Sequence, residues 1–251
     1  MSTLQQTTVT CAPPPSFVDL RQFAQDESQG IPMPASMDDD RFLSSRRILD
    51  WPQGPVTAGI IALDADGGSV QSLPADEFII VHAGSFTITQ QDSPLVLKPG
   101  QSTVLKKGAT FSWSAQGPVS LIFTRYNNSQ SGDRAIVPIK EHPQLEATGT
   151  PPADLLLTPA PVCRNYTDYR STDGEFVCGT WDSTPYHRRA MFYRHFELMY
   201  LLEGSVTLID EAGRAGTFSK GDIFLVEQTA RCTWESREHV AKVYVIYRPA
   251  Q

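Results

Sequence analysis

The segment ELMYLLEGSVTLIDEAG, residues 197–213, decides the fold. Its strand-length apolar runs stop at Gly204 and Gly213, where glycine and polar residues indicate tight turns. A second segment, EFIIVHAGSFTITQ at residues 77–90, repeats the pattern of a glutamate, six residues, a glycine and another short apolar run. Runs this short, bounded by turn residues, are typical of strands rather than helices. The two segments therefore predict hairpins in two separate parts of the chain.

These segments belong to a repeat that extends over most of the sequence. Glu77 and Glu197 are 120 residues apart, and Trp113 and Trp234 are 121 apart. The same spacing relates Gly59 to Gly179, Gly84 to Gly204 and Gly100 to Gly221. Chance agreement among common glycines is the alternative, but the paired tryptophans and glutamates argue against it. The repeat predicts a duplicated all-β unit, with a sandwich or barrel in each half.

Composition along the chain divides it into four parts. Residues 1–16 are polar and proline-rich, which predicts a flexible tail. An N-terminal domain is predicted over residues 17–126, with a short helix near residues 18–25. A linker rich in serine, proline and charge is predicted over residues 127–162, and a C-terminal domain over residues 163–251.

Overall composition excludes several classes of protein. The 251 residues are 40% hydrophobic, and the balance of 21 basic and 28 acidic side chains gives a net charge of −7. This acidic balance argues against nucleic-acid binding, which depends on Lys and Arg. No run approaches the ~20 apolar residues of a membrane span, and no apolar signal segment begins the chain. We therefore expect a cytoplasmic protein with reduced cysteines and with neither nucleic acid nor membrane as a partner.

In each half these landmarks resemble the cupin superfamily. Its first motif ends in glutamate, six residues and glycine, and its second begins with glycine, as at Gly100 and at Gly221-Asp222. The C-terminal half, through GTWDSTP and TFSKGDIFLVEQ, looks more specifically like the cupin domain of (S)-ureidoglycine aminohydrolase. The resemblance implies a bicupin, that is, two tandem cupin (jelly-roll β-barrel) domains in one chain. It also implies a homodimer, because cupins commonly dimerise through outer strands.

The resemblance further implies a divalent metal, held inside the barrel by histidines and a glutamate. The positions that correspond to these ligands are Gln71, Leu73, Glu77 and Phe111 in the N-terminal half, and Met191, Tyr193, Glu197 and Cys232 in the C-terminal half. Only the glutamate of each set is an ordinary ligand, and an aromatic ring at position 111 would fill the metal's space. The sequence therefore predicts that neither barrel holds a metal.

One alternative keeps a metal in the C-terminal barrel. Residues i and i+2 of a strand share a face, so Tyr193, His195 and Glu197 are expected to project into one cavity. Together with Cys232, His195 and Glu197 would offer a set for a divalent ion such as Zn or Mn. The other interpretation is that His195 lines the barrel and only forms hydrogen bonds. The residues leave both open.

A barrel without metal still predicts a concave cavity, which is the usual form of a small-molecule site. The candidate ligand-binding residues are Trp181, Met191, Tyr193, His195, Glu197, Cys232 and Trp234. Burial should raise the pKa of Glu197, the candidate catalytic residue, so that it could act as an acid or base. The alternative role for Glu197 is structural, with Tyr193 or His195 satisfying its carboxylate.

Three hypotheses about function follow. The first is a bicupin that binds a small polar metabolite in a barrel that has lost its metal ligands. The second is a metal-dependent hydrolase or isomerase acting on a ureido or amino-acid-like compound. The third is a scaffold whose barrels only form a dimer interface.

Overall fold

The computed structural model describes residues 15–34 and 40–250, and within them the chain is mostly strand. The strands of the first half are β1 (Phe17–Asp19), β2 (Ile31–Pro32), β3 (Arg46–Ile48), β4 (Val56–Leu63), β5 (Asp66–Val70), β6 (Asp76–Ala83), β7 (Phe86–Gln90), β8 (Ser93–Leu97), β9 (Ser102–Leu105), β10 (Phe111–Ala115) and β11 (Val119–Tyr126). Those of the second are β12 (Ile136–Pro138), β13 (Glu146–Ala147), β14 (Cys163–Arg170), β15 (Phe176–Ser183), β16 (Tyr186–Phe192), β17 (Phe196–Glu203), β18 (Ser205–Ile209), β19 (Ala215–Ser219), β20 (Ile223–Val226), β21 (Arg231–Ser236) and β22 (Val240–Tyr247). The helical elements are α1 (Leu20–Gln25), α2 (Arg41–Ser44) and a 3-10 turn at Ala153–Leu155. The all-β class with a few short helices is confirmed.

Each half forms a seven-stranded and a four-stranded antiparallel sheet that together enclose a barrel. The first barrel has the strand orders β12-β9-β6-β11-β4-β3-β2 and β5-β10-β7-β8. The second has β1-β20-β17-β22-β15-β14-β13 and β16-β21-β18-β19. The two lists correspond strand for strand, so the duplication predicted from the spacing is present as two tandem barrels.

The repeat also preserves register within the sheets. Glu77 on β6 lies opposite Leu105 on β9, and Glu197 on β17 lies opposite Val226 on β20. Equivalent glutamates therefore occupy equivalent places in the two barrels, which makes their different surroundings directly comparable.

Two edge strands cross between the halves. β1 pairs with β20 of the second barrel, and β12 pairs with β9 of the first. β1 and β12 occupy equivalent edge positions of the two seven-stranded sheets, so each half contributes one edge strand to the other barrel. The domain boundaries at residues 17 and 127–162 stay predictions, and the pairing of these two strands does not follow them. The predicted tail lies outside the described residues, apart from residues 15 and 16.

The two seven-stranded sheets pack against each other and form a core between the barrels. Phe78 and Ile122 from the first barrel share one buried cluster with Leu198 and Val243 from the second. The residues that alternate with these point the other way, into the barrel interiors. The interior of each barrel is therefore lined separately from the interface.

Among residues 15–34 and 40–250, no helix is long and apolar enough to cross a membrane. Cys163, Cys178 and Cys232 are buried free thiols, as expected. Cys11 lies outside the described residues.

Candidate functional site

The interior of the first barrel is packed solid by aromatic side chains. Helix α2 inserts Phe42, which stacks on Phe86 with ring centroids 5.8 Å apart and meets Phe111 edge-on at 5.5 Å. Phe111, Trp113 and Phe42 are at most 3% exposed. The ring predicted to fill the metal's space at position 111 therefore lies in this packed interior.

A buried ion triad accompanies this packing. The Glu77 carboxylate accepts from Arg46 Nη1 at 2.8 Å and from Arg125 Nη2 at 2.7 Å, and Glu77 has no exposed surface. Burial alone would raise the pKa of Glu77, but the two guanidinium groups outweigh it and hold the pKa below its ordinary value. Glu77 thus has both carboxylate oxygens occupied and no surface exposed to solvent.

The second barrel is open at the equivalent place. A cavity of about 690 Å³ lies within it, between the sheets. Where the first barrel has α2, residues 148–152 border the mouth of this cavity. Six predicted ligand-binding residues line it, namely Trp181, Met191, Tyr193, His195, Glu197 and Trp234.

Glu197 is paired, contrary to the expectation of an isolated acid. Lys242 Nζ donates to Glu197 Oε1 at 2.8 Å, and His195 Nε2 lies 3.2 Å from Glu197 Oε2. The net pKa of Glu197 is lowered, so the prediction of a raised pKa is wrong. Burial acts in that direction, but the Lys242 ammonium and the His195 ring outweigh it and hold the pKa far below its ordinary value. Glu197 is therefore a carboxylate at every physiological pH.

Lys242 is a functional candidate that sequence reasoning missed. It is 6% exposed, and its ammonium lies 4.7 Å from the ring centre of Trp181 and 5.0 Å from that of Trp234. Cation–π attraction to the two rings stabilises the ammonium in this position. The available signal was a single lysine at an inward position of an otherwise apolar strand, in the stretch HVAKVYVIY.

Arg188 was also missed. It is 3% exposed, lines the cavity, and donates through Nη2 to Tyr193 Oη at 2.7 Å and through Nη1 to the Cys232 carbonyl at 2.9 Å. The signal was its position two residues after Tyr186, which places both side chains on one face of β16.

The two tryptophans of the repeat differ in hydrogen bonding. In the first barrel, Trp113 Nε1 donates to Asp40 Oδ1 at 2.9 Å. In the second, Trp234 Nε1 is buried and has no hydrogen-bond partner among the described residues. An indole N–H left without an acceptor at a cavity wall can serve a bound molecule.

Cys232, the seventh predicted ligand-binding residue, does not line the cavity. It is fully buried in the core of the second barrel, and burial raises the pKa of its thiol to about 11, which keeps the thiol protonated. The structure brings His195 and Glu197 together, yet within the described part of the chain no three His, Cys, Asp or Glu side chains form a group able to hold a metal ion. The residues at the position expected for a metal therefore do not fit one, because Lys242 already pairs with Glu197.

Residues 170–244 match the family model of the EutQ-like cupin domain. The whole chain is similar to a Pseudomonas syringae pv. tomato protein of unknown function from the DUF861 family, with 28% identity and a TM-score of 0.84 over 93% of this chain and 100% of that one. No curated protein matches the sequence.

More distant structures share the fold alone. A cupin 2 conserved barrel domain protein from Leptotrichia buccalis is 11% identical, with a TM-score of 0.54 over 81% of this chain and 87% of that one. Protein Ylba from E. coli, also of the DUF861 family, is 12% identical, with a TM-score of 0.52 over 82% and 84% of the two chains.

Proposed function

We propose, from the premise that the second half is a cupin domain, that its barrel binds a small polar metabolite without a protein-held metal. The observation that carries this proposal is the cavity around the Glu197–Lys242 pair. Its volume of about 690 Å³ suits a small organic molecule. Its walls combine aromatic rings with a few charged groups, the usual composition of such sites.

The Lys242 ammonium supplies the positive charge that a metal would supply in other cupins. It lies 2.8 Å from Glu197, so the carboxylate is neutralised without an ion. The pair can receive a hydroxyl or amine of the ligand through the carboxylate and an acceptor through the ammonium. The metal-dependent enzyme and the specific aminohydrolase resemblance stay predictions, and no observation of the cavity favours them.

A thermal screen tests the proposal. Chelator-treated protein is heated with a library of polar metabolites, and we expect at least one compound to raise the melting temperature in a saturable way. The variant Glu197→Gln should lose this response while keeping its far-UV circular dichroism. Glu203→Gln, at the exposed end of the same strand, is the matched control and should respond as the wild type does.

Two results would count against the proposal. One is a library in which no compound stabilises the chelated protein. The other is a response that disappears on chelation and returns only with Mn²⁺ or Zn²⁺, since that would assign the cavity to a metal.

A further inference from the structure

Arg188 carries a buried positive charge without an acidic partner. Its hydrogen-bond acceptors are the carbonyls of Arg189 and Cys232 and the hydroxyls of Tyr193 and Tyr186, all of them uncharged. No carboxylate within residues 15–34 and 40–250 forms an ion pair with it. These four acceptors use at most four of the five N–H donors of a guanidinium, so a donor remains for another group.

Burying the Arg188 guanidinium costs free energy unless a negative charge from outside the protein balances it. A guanidinium does not lose its proton in proteins, and an unpaired buried charge is strongly unfavourable. In the first barrel, the buried Arg46 has Glu77 at 2.8 Å. In the second, Glu197 is already engaged by Lys242 and His195.

The remaining acids of the cavity lining are engaged elsewhere. Asp173 and Glu175, from the turn between β14 and β15, accept hydrogen bonds from Tyr126 Oη of the first barrel, at 2.7 and 2.9 Å. Arg188 therefore faces the cavity with one positive charge that the protein does not balance.

A second unpartnered donor lies directly beside it. Arg188 on β16 and Trp234 on β21 are opposite each other across the strand pair, so their side chains share one face. Trp234 Nε1 is buried without an acceptor among the described residues, and Tyr186 stacks on the same indole with ring centroids 5.9 Å apart. A cation, an N–H donor and two aromatic faces thus meet at one end of the cavity.

We infer that the ligand of the second barrel carries a carboxylate, which binds Arg188 and Trp234 Nε1 while its carbon skeleton packs on the aromatic walls. This inference rests on the proposed function. The unpaired charge of Arg188 matches an anion, and the two oxygens of a carboxylate can accept from the remaining guanidinium N–H and from Trp234 Nε1.

Matched acids and amides test this inference. Melting temperatures are measured with benzoate and benzamide, and with inorganic phosphate, at constant ionic strength. At ten times its dissociation constant, benzoate should raise the melting temperature by about 3 °C, whereas benzamide should have little effect. Arg188→Met should fold, because it removes a buried unpaired charge, and it should lose the benzoate response. Arg188→Lys should retain part of it.

Each other outcome overturns the inference. Equal stabilisation by benzoate and benzamide would do so while leaving the proposed function intact, because the cavity would then bind neutral molecules. If phosphate raised the melting temperature more than benzoate did, the site would be assigned to a different anion than a carboxylate. An undiminished benzoate response in Arg188→Met would place the anion elsewhere. Absence of any response to benzoate would also reject the inference, and the metabolite screen would then decide the proposed function separately.

Discussion

The two barrels have the same strand order and an equivalent buried glutamate, yet one is filled and the other is open. In the first, α2 inserts Phe42 among the aromatic rings, and Glu77 is held between two arginines. In the second, residues 148–152 border a cavity, and Glu197 is held by Lys242 and His195. The comparison teaches that a barrel can keep its strand order while the segment between β2 and β3, or between β13 and β14, differs in what it places at the interior.

The cations of the two barrels differ in a way that suits these roles. An arginine stays charged in any environment, so the Glu77 triad is a fixed structural element. Lys242 instead carries a compact ammonium on a flexible stem and lines the cavity, where a bound molecule can reach it. Substitutions at equivalent positions of the two barrels should therefore differ in their effects.

Replacing each glutamate with glutamine should separate the structural pair from the site. Glu77→Gln leaves Arg46 buried without a counter-charge and should lower the free energy of unfolding by about 3–5 kcal/mol. Glu197→Gln should cost only about 1–2 kcal/mol, because water in the cavity can reach the Lys242 ammonium. Urea denaturation of both variants measures the difference. Equal losses would show that the two carboxylates have the same role.

Removing the aromatic plug should open the first barrel. Phe42→Ala deletes a fully buried ring and should lower the free energy of unfolding by about 3–4 kcal/mol. Met191→Ala at the cavity wall of the second barrel should cost about 1 kcal/mol, since its side chain already borders empty space. Similar costs, again from urea denaturation, would contradict the contrast between a solid and an open interior.

The paired glycines provide a smaller, matched comparison. Gly100 and Gly221 both have positive φ, at 88° and 90°, so alanine strains the backbone at each. At Gly100 the added methyl group would also overlap the Tyr200 hydroxyl from the second barrel, whereas nothing lies within 4 Å of Gly221. We expect Gly221→Ala to cost about 1 kcal/mol and Gly100→Ala about 1 kcal/mol more. If Gly221→Ala lowered the melting temperature more than Gly100→Ala, the contact between Gly100 and Tyr200 would not constrain the two barrels as described.

One acid near the junction of the barrels predicts a small pH effect. Burial raises the pKa of Glu227 to about 7, against about 4.3 in an unfolded chain. The folded state therefore holds this proton more tightly, and its stabilising contribution is lost as the pH rises from about 4.5 through 7. Between pH 5 and 8 the wild type should lose about 1 kcal/mol relative to Glu227→Gln. Parallel pH profiles for the two proteins would refute this.

Much of the fold could be predicted because spacing and strand pattern are local properties of the sequence. The offsets from Glu77 to Glu197 and from Trp113 to Trp234 indicated two equivalent barrels. Six of the seven predicted ligand-binding residues line the cavity. Tyr193 and His195 lie in the connection between β16 and β17, so the alternation of side chains along a strand, from which they were predicted, is not what places them there. The strand exchange did not follow, because β1 and β12 are three residues each and their partners are distant in sequence.

The electrostatics of the site could not be predicted in the same way. The expected rise in the pKa of Glu197 assumed an isolated acid, but Lys242 reaches it from β22, 45 residues further along the chain. Likewise, the plug in the first barrel depends on Phe42, which precedes the recognised motifs. Both depend on contacts between elements that no local pattern specifies.

The most direct test of the account observes the indole N–H signals by ¹⁵N–¹H NMR, with each tryptophan assigned by substitution with phenylalanine. The chelator-treated protein is titrated with the best metabolite from the thermal screen. The account predicts that the signals of Trp181 and Trp234 shift to saturation while that of Trp113, bonded to Asp40 in the filled barrel, stays in place. A shift of Trp113 with Trp181 and Trp234 unchanged would contradict it.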